Sequence, residues 1–248
     1  MRILIGIDDT DNKESRGTGY NSRQLAGAIE AHNLGVVHGI TRHQLFVHPD
    51  IPYTSHNSSA CLDVSSSDFK ALKDFCRSFM LDIAATGSDV GLCMVEKNKV
   101  TDEIVKWGTD AKSNVLKMDD AIKKAERNNI FLEGLTGTKD GIIGALAAVG
   151  LRNSGNDGRF IWLNSKKKLR DIEDGIRSVE ELINESGVNR IQSNDNFTVG
   201  LKDKVYLNEW ARPVLQNNQS VLLVEKVINN QNYEWKCAAK EFVKGISN

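Results

Sequence analysis

Three carboxylates fall within four positions near the start of the chain, at Asp8, Asp9 and Asp11, with Thr10 among them. Like charges at this spacing repel and raise one another's pKa unless a cation sits between them. A donor set made only of oxygens selects hard cations such as Mg²⁺. Gly17-Thr18-Gly19 follows just before a helical pattern, and a Gly-rich turn there leaves backbone N–H groups for phosphate oxygens. The combination predicts a metal–phosphate site, with Asp8, Asp9 and Asp11 as ligands and Gly17, Thr18 and Gly19 around the phosphates. The plainer alternative is a polar loop whose aspartates form turns and cap a helix. Neither GxxxxGK[ST] nor GxGxxG occurs in this stretch.

A second stretch, Ile130 to Gly150, reads as a strand, a loop with three glycines, and an apolar helix of small residues. A helix this apolar is buried. Gly141 and Gly144 at its start let a backbone or a phosphate approach closely. Thr138, Lys139 and Asp140 stand ahead of them, and Lys139 offers a positive charge to phosphate. Close packing on a sheet explains the alanines without any ligand, but not Thr138-Lys139-Asp140. Between the two stretches, Pro49 to Ser59 is dense in hydroxyl, amide and imidazole groups. Arg42, Tyr53, His56, Asn57 and Ser58 are the candidate contacts to an acceptor or a base, against the alternative of a solvated loop.

These groups need elements to position them. Ile3 to Ile7 reads as a buried strand. Asn21 or Ser22 caps a helix to about Asn33. Val36–Ile40 and Gln44–Val47 read as strand segments on either side of Thr41-Arg42-His43. Ala60–Val64 is a strand, and Ser67 caps a helix through about Met80. Leu92–Val95 is a strand, Thr101 starts a helix to about Lys112, and Asp119 caps one to Asn128. Arg159–Leu163 is a strand, Ser178 caps a helix that Gly187 ends, and Val188–Gln192 is a strand. Val221–Val227 and Tyr233–Cys237 form a hairpin around Asn229 to Asn232. An alternating part followed by a β-rich part predicts an α+β fold with a mixed sheet and packed helices.

Composition narrows the function. The 248 residues are 40% hydrophobic and 26% charged, with a net charge of −1. That charge offers no global attraction to nucleic acid, so any such contact needs a local patch. Lys166-Lys167-Lys168 with Arg170 is the one basic run, ordinarily a solvated face. No stretch approaches the length of a membrane span. Cys61, Cys76, Cys93 and Cys237 are scattered without a CxxC pair, which argues against a zinc ribbon and for packing thiols of a cytoplasmic protein. His38, His43, His48 and His56 follow strand alternation rather than a ligand motif.

Ile5-Gly6-Ile7-Asp8-Asp9-Thr10-Asp11, Ile51-Pro52-Tyr53 with its polar loop, and Gly141-Ile142-Ile143-Gly144-Ala145-Leu146-Ala147-Ala148-Val149-Gly150 occur in an order and at separations that resemble the archaeal tRNA(Ile) agmatidine synthase family. The resemblance implies a kinase-like nucleotide-binding part over 1–64 and 115–165, with 65–114 a helix–strand segment of the same domain. It implies a ferredoxin-like, β-rich subdomain over 166–248, so that most of the chain is covered. It also implies ATP and Mg²⁺ as cofactors, with activation of a cytidine carbonyl oxygen by phosphorylation and displacement by agmatine. Asp8, Asp9 and Asp11 match its acidic motif, and Asp140 to Gly144 its glycine segment. Two departures stand out. The family's Cys-Thr-Thr cluster is replaced by Gly17-Thr18-Gly19-Tyr20-Asn21-Ser22, and only the resemblance makes Thr18 a catalytic candidate, in place of that cluster's threonine. The OB-like domain and zinc ribbon that hold tRNA have no counterpart in these residues.

Three functions follow as expectations. The first is an ATP/Mg²⁺-dependent phosphoryl-transfer enzyme, ligase- or kinase-like, acting on a nucleotide or small-molecule acceptor. The second is tRNA-cytidine modification with the RNA recruited by a partner, using Lys166 to Arg170. The third is a non-catalytic nucleotide- or metal-binding protein.

Overall fold

The first apolar run forms β1 (Arg2–Asp8), whose alternation places Leu4, Gly6 and Asp8 on one face and Ile3, Ile5 and Ile7 on the other. The computed structural model describes residues 1–53, 56–195, 197–207, 211–228 and 230–247. They divide into two units, Met1–Ser154 and Gly155–Asn248, in an α+β architecture with mixed pairing and packed helices.

In the first unit β1 is followed by α1 (Thr18–Ala31), β2 (Val36–Gln44), β3 (Ser58–Ser65), α2 (Phe69–Ile83), β4 (Gly91–Glu96), α3 (Asp102–Asp110), α4 (Met118–Arg127), β5 (Phe131–Gly134) and α5 (Ile142–Ser154). The strand order is β5-β4-β1-β3-β2, antiparallel at every step. β1 is central, which explains why its run is apolar on both faces. Leu4, Cys61, Cys93 and Val95 pack on one face with Ala145, Leu146, Ala148 and Val149 of α5. The four cysteines are free and buried, and burial raises their thiol pKa values.

Helix α5 lies directly on backbone. A Cβ on Gly6 would come 2.0 Å from the carbonyl oxygen of Ala145, and one on Gly91 would meet the Gly141 carbonyl at 2.1 Å. On the far side of α5, a Cβ on Gly150 would lie 2.1 Å from the Ile104 oxygen of α3. Gly6→Ala is therefore expected to cost about 1–3 kcal/mol through forced separation of strand and helix, read as a lower urea midpoint. An unchanged midpoint would show that the layers part freely.

Several element bounds differ from those read in the sequence. Helix α1 starts at Thr18, before Asn21 and Ser22, because the Asp11 carboxylate accepts the Thr18 N–H at 3.0 Å. Thr41-Arg42-His43 does not interrupt β2: buried Thr41 and His43 satisfy each other at 2.8 Å and the strand runs through. Asp68, not Ser67, caps α2, accepting from the Ala71 N–H at 2.9 Å. Asp119 lies in the first turn of α4, whose cap position is Lys117.

At the opposite end of β1 from Asp8, Asp63 is fully buried and ion-paired. Arg2 Nη2 donates to it at 3.1 Å, its Nε makes a shorter contact, and Arg152 Nη2 donates at 2.9 Å. Lys97 Nζ stands 3.9 Å away.

The second unit carries β6 (Arg159–Leu163), β7 (Gly175–Ser178), α6 (Val179–Ser186), β8 (Arg190–Ser193), β9 (Lys204–Leu207), β10 (Val214–Gln216), β11 (Gln219–Lys226), β12 (Trp235–Cys237) and α7 (Lys240–Ser247). Its strands run β6-β10-β11-β12-β9-β7, with β8 parallel to β11 and β12 parallel to β9. Helix α6 has the capping box expected from Ser178 and ends at Gly187 in the left-handed region. The hairpin of β11 with β12 is present, with Val224 opposite Cys237 and Lys226 opposite Trp235; Asn229 of its connection lies outside the described residues. A further hairpin joins β10 to β11 through Asn217 and Asn218, both at positive φ. Lys166, Lys167, Lys168 and Arg170 are exposed, and Lys167 pairs with Glu185 at 3.0 Å. Among the described residues no helix is long and apolar enough to cross a membrane.

Candidate functional site

The C-terminal end of β1 and the N-terminal end of α5 meet at a cavity of about 580 Å³ in the first unit. Asp8, Asp9 and Asp11 line it, as do Gly17, Thr18 and Gly19 at the start of α1, and Asp140, Gly141 and Gly144 at the start of α5. Arg42, Tyr53, His56, Asn57 and Ser58 complete that wall. Residues separated by more than a hundred positions are thus brought together. Three of the sequence candidates lie elsewhere. Thr10 is buried behind the wall, Thr138 donates its N–H to Asp89, and Lys139 packs its stem over Gly134. Thr54 and Ser55 lie outside the described residues.

Strand alternation aims Asp8 at α5. A Cβ on Gly144 would come 1.8 Å from Asp8 Oδ2, so the glycine is the space the carboxylate occupies. Asp9 adopts φ 52°, which turns the chain out of the sheet. Burial, then the Asp9 charge and the Asp11 charge, push the Asp8 pKa up to about 8, against a hydrogen bond from the Asp9 backbone. Burial, then Asp89, Asp11 and Asp140, push Asp9 up to about 6. The charges that act most on either group are those of other aspartates.

Asp11 behaves differently. Its Oδ1 accepts the Thr18 N–H and the Thr18 hydroxyl, each at 3.0 Å. Thr18 Oγ1 in turn accepts from the Thr10 hydroxyl at 3.2 Å, and Thr10 Oγ1 accepts from Asn21 Nδ2 at 2.8 Å. This relay fixes the start of α1 against the acidic turn. The helix-capping alternative therefore describes the bonds Asp11 makes, while among the described residues Asp8 and Asp9 form no ion pair.

The loop before α5 is clamped by the turn before β4. Thr136 Oγ1 donates to the Ser88 oxygen at 2.7 Å and accepts from the Val90 N–H at 2.9 Å. The Gly141 N–H donates to the Asp89 oxygen at 2.9 Å. Asp89 is legible in the sequence only as part of a turn. The other wall is legible only at Asp50, Ile51 and Pro52 of the polar loop and at Asp119: Ala111, Asn114, Val115, Leu116 and Lys117 line the cavity from the connection between α3 and α4, with Met118 and Asp119 of the first turn of α4 and with Leu45 and Ile143. That connection carries no motif. A single bond, Phe46 N–H to the Ala111 oxygen at 2.9 Å, brings its start to the end of β2.

Among the described residues no group of three or more His, Cys, Asp or Glu side chains is arranged to hold a metal ion. The tip of β1 instead carries two carboxylates with raised pKa values. It fits a hard cation held by two carboxylates and completed by ligand oxygens, the usual mode for Mg²⁺.

Known proteins share part of this fold. No family model matches the chain. An uncharacterised protein of Methanocaldococcus jannaschii is 28% identical over 155 residues, covering 60% of this chain and 50% of that protein. A crystal structure of a tRNA fluorescent labeling enzyme matches 60% of the chain at 28% identity and a TM-score of 0.54, covering 36% of that enzyme. The apo form of TiaS, an agmatidine synthetase of an isoleucine tRNA, gives 27% identity and 0.53 over 60% of the chain and 35% of the synthetase. The complex of TiaS with that tRNA and ATP gives 28% and 0.54, with 36% of that chain covered. The chain spans about half the length of the curated relative and about a third of these structures. The shared span is 60% of this chain, the greater part of it, as the resemblance in sequence implies. Over that span the chain is distantly similar, in sequence and in fold, to the isoleucine-tRNA agmatidine synthetase.

Proposed function

We propose that the first unit binds ATP with Mg²⁺ and transfers a phosphoryl group to a nucleotide or small-molecule acceptor, as a ligase- or kinase-like enzyme. The observation that carries this reading is the cavity in which Asp8 and Asp9, which form no ion pair among the described residues, face the N-terminus of α5. Asp8 and Asp9 would hold the metal, which supplies neutralisation of phosphate charge. Gly144 leaves the space that the Asp8 carboxylate fills, Gly141 packs on the backbone of Asp89 and Gly91, and the α5 dipole favours an anion at this end of the cavity. Asp11 and Thr18 hold the acidic turn and α1 in one geometry, which is the positioning contribution to such a reaction. The synthetase seen with ATP and its tRNA is the relative that motivates the nucleotide.

Calorimetric titration with ATP and MgCl₂ tests this. Wild type is expected to bind in a Mg²⁺-dependent manner, and Asp9→Ala to bind at least about 30-fold more weakly while keeping its circular dichroism spectrum. Equal binding by both proteins removes the acidic tip from the mechanism. Metal-dependent binding by wild type without turnover on a broad acceptor panel favours the non-catalytic alternative.

A further inference from the structure

Two cationic side chains line the cavity, Arg42 and Lys117. Lys117 is exposed and solvated; Arg42 is not exposed and extends from β2 along the wall. Its Nε donates to Ser58 Oγ at 3.0 Å. Among the described residues that neutral hydroxyl is its one hydrogen-bonding partner, and no carboxylate is ion-paired with it. A guanidinium carries five N–H donors in a planar fork, so most of its donor capacity is unused by the protein. Withdrawing such a charge from water without a counter-charge is costly. Burial alone acts on its pKa, in the downward direction, with no neighbouring carboxylate to raise it. Arg42 stands opposite Ala60 of β3, which stands opposite Ile7 of β1, so β3 lies between Arg42 and the tip of β1. The guanidinium therefore reaches the cavity two strands away from Asp8.

We propose that Arg42 binds a phosphate-class anion directly, without a metal, at a place in the cavity distinct from the tip of β1. This deepens the nucleotide-binding reading, on which it rests for the identity of the cavity. The geometry is that of a bidentate guanidinium–phosphate contact, with the Ser58 hydroxyl orienting the fork. The anion can be a phosphate of the nucleotide itself or an anionic group of the acceptor.

Three titrations distinguish these sources: pyrophosphate in EDTA, ATP with MgCl₂, and inorganic phosphate added to protein saturated with ATP and MgCl₂. Arg42→Gln is expected to weaken at least one of them by about 10- to 100-fold. Loss of both pyrophosphate and ATP binding identifies the nucleotide's own phosphates. Loss confined to phosphate on the saturated protein identifies the acceptor's group. Arg42→Lys keeps the charge but not the fork, and is expected to fall between wild type and Arg42→Gln. Thermal melts separate these effects from misfolding. Asp9→Ala is expected to retain metal-free pyrophosphate binding, so failure of the metal-dependent reading leaves this proposal separately decided. Wild-type affinity for all three probes in Arg42→Gln, or no binding of any probe by wild type, overturns it.

Discussion

Replacing Asp63 with alanine is expected to destabilise the first unit by about 3–5 kcal/mol. The carboxylate is fully buried between Arg2 and Arg152, with Lys97 beyond them. Arg2 and Lys97 are partly exposed and can turn to solvent when it is lost, but Arg152 is 5% exposed and cannot. Much of the cost is that the buried Arg152 guanidinium loses this carboxylate, so Asp63→Ala combined with Arg152→Leu is expected to recover part of it. Its cations hold the Asp63 pKa below 3.8 against the opposing effect of burial. A folded-state pKa below the unfolded value gives stability that is fully present above pH 3.8 and lost as pH falls through the lowered value. Urea titrations at pH 7 and in acid check both statements; an Asp63→Ala midpoint equal to wild type at pH 7 would refute them.

The acidic tip acts in the opposite direction. Asp8 and Asp9 keep their protons in the folded protein up to about pH 8 and about pH 6, whereas the unfolded chain releases them near 3.8. The folded state binds more protons over that range, so metal-free stability falls as pH rises from about 4 to about 8. Solvent reaches part of the site, which limits the Asp8 contribution to about 2 kcal/mol. Asp8→Asn is therefore expected to be more stable than wild type at pH 8 and equal to it at pH 4, while losing Mg²⁺-dependent ATP binding. Paired thermal melts in EDTA read the difference. Identical melting of the two proteins at both pH values would mean that Asp8 is not strained by its surroundings.

Local signals identify what local physics decides. The apolar run of β1, the Ser178 capping box with its Gly187 terminator, and the β11–β12 hairpin each stand in the sequence within a few residues of their cause. The errors come from causes that lie farther away. Asp11 sets the start of α1 from seven positions upstream, and Thr41 with His43 hides two polar side chains inside β2. The short helix α7 carries no recognised signal beyond Ala239. At the candidate site, the two Gly-rich stretches are legible because their glycines cluster at the starts of helices, where Gly141 and Gly144 admit neighbouring backbone and the Asp8 carboxylate. The wall from Ala111 to Lys117 is not, because an irregular connection has no periodicity and is placed by one distant backbone bond.

Seating α5 on the bare backbone of β1 and β4 makes one end of the cavity incompressible. Gly6, Gly91, Gly141 and Gly144 leave no side chain there to trim or enlarge. Variation in what the cavity admits must therefore enter through the opposite side, where Val115 to Lys117 and Asp50 to Tyr53 are loop residues under few constraints. The molecule is divided into an anchor that tolerates no substitution and a selector that can drift. If the proposed reaction holds, grafting that segment from a relative is the natural route to a changed acceptor preference.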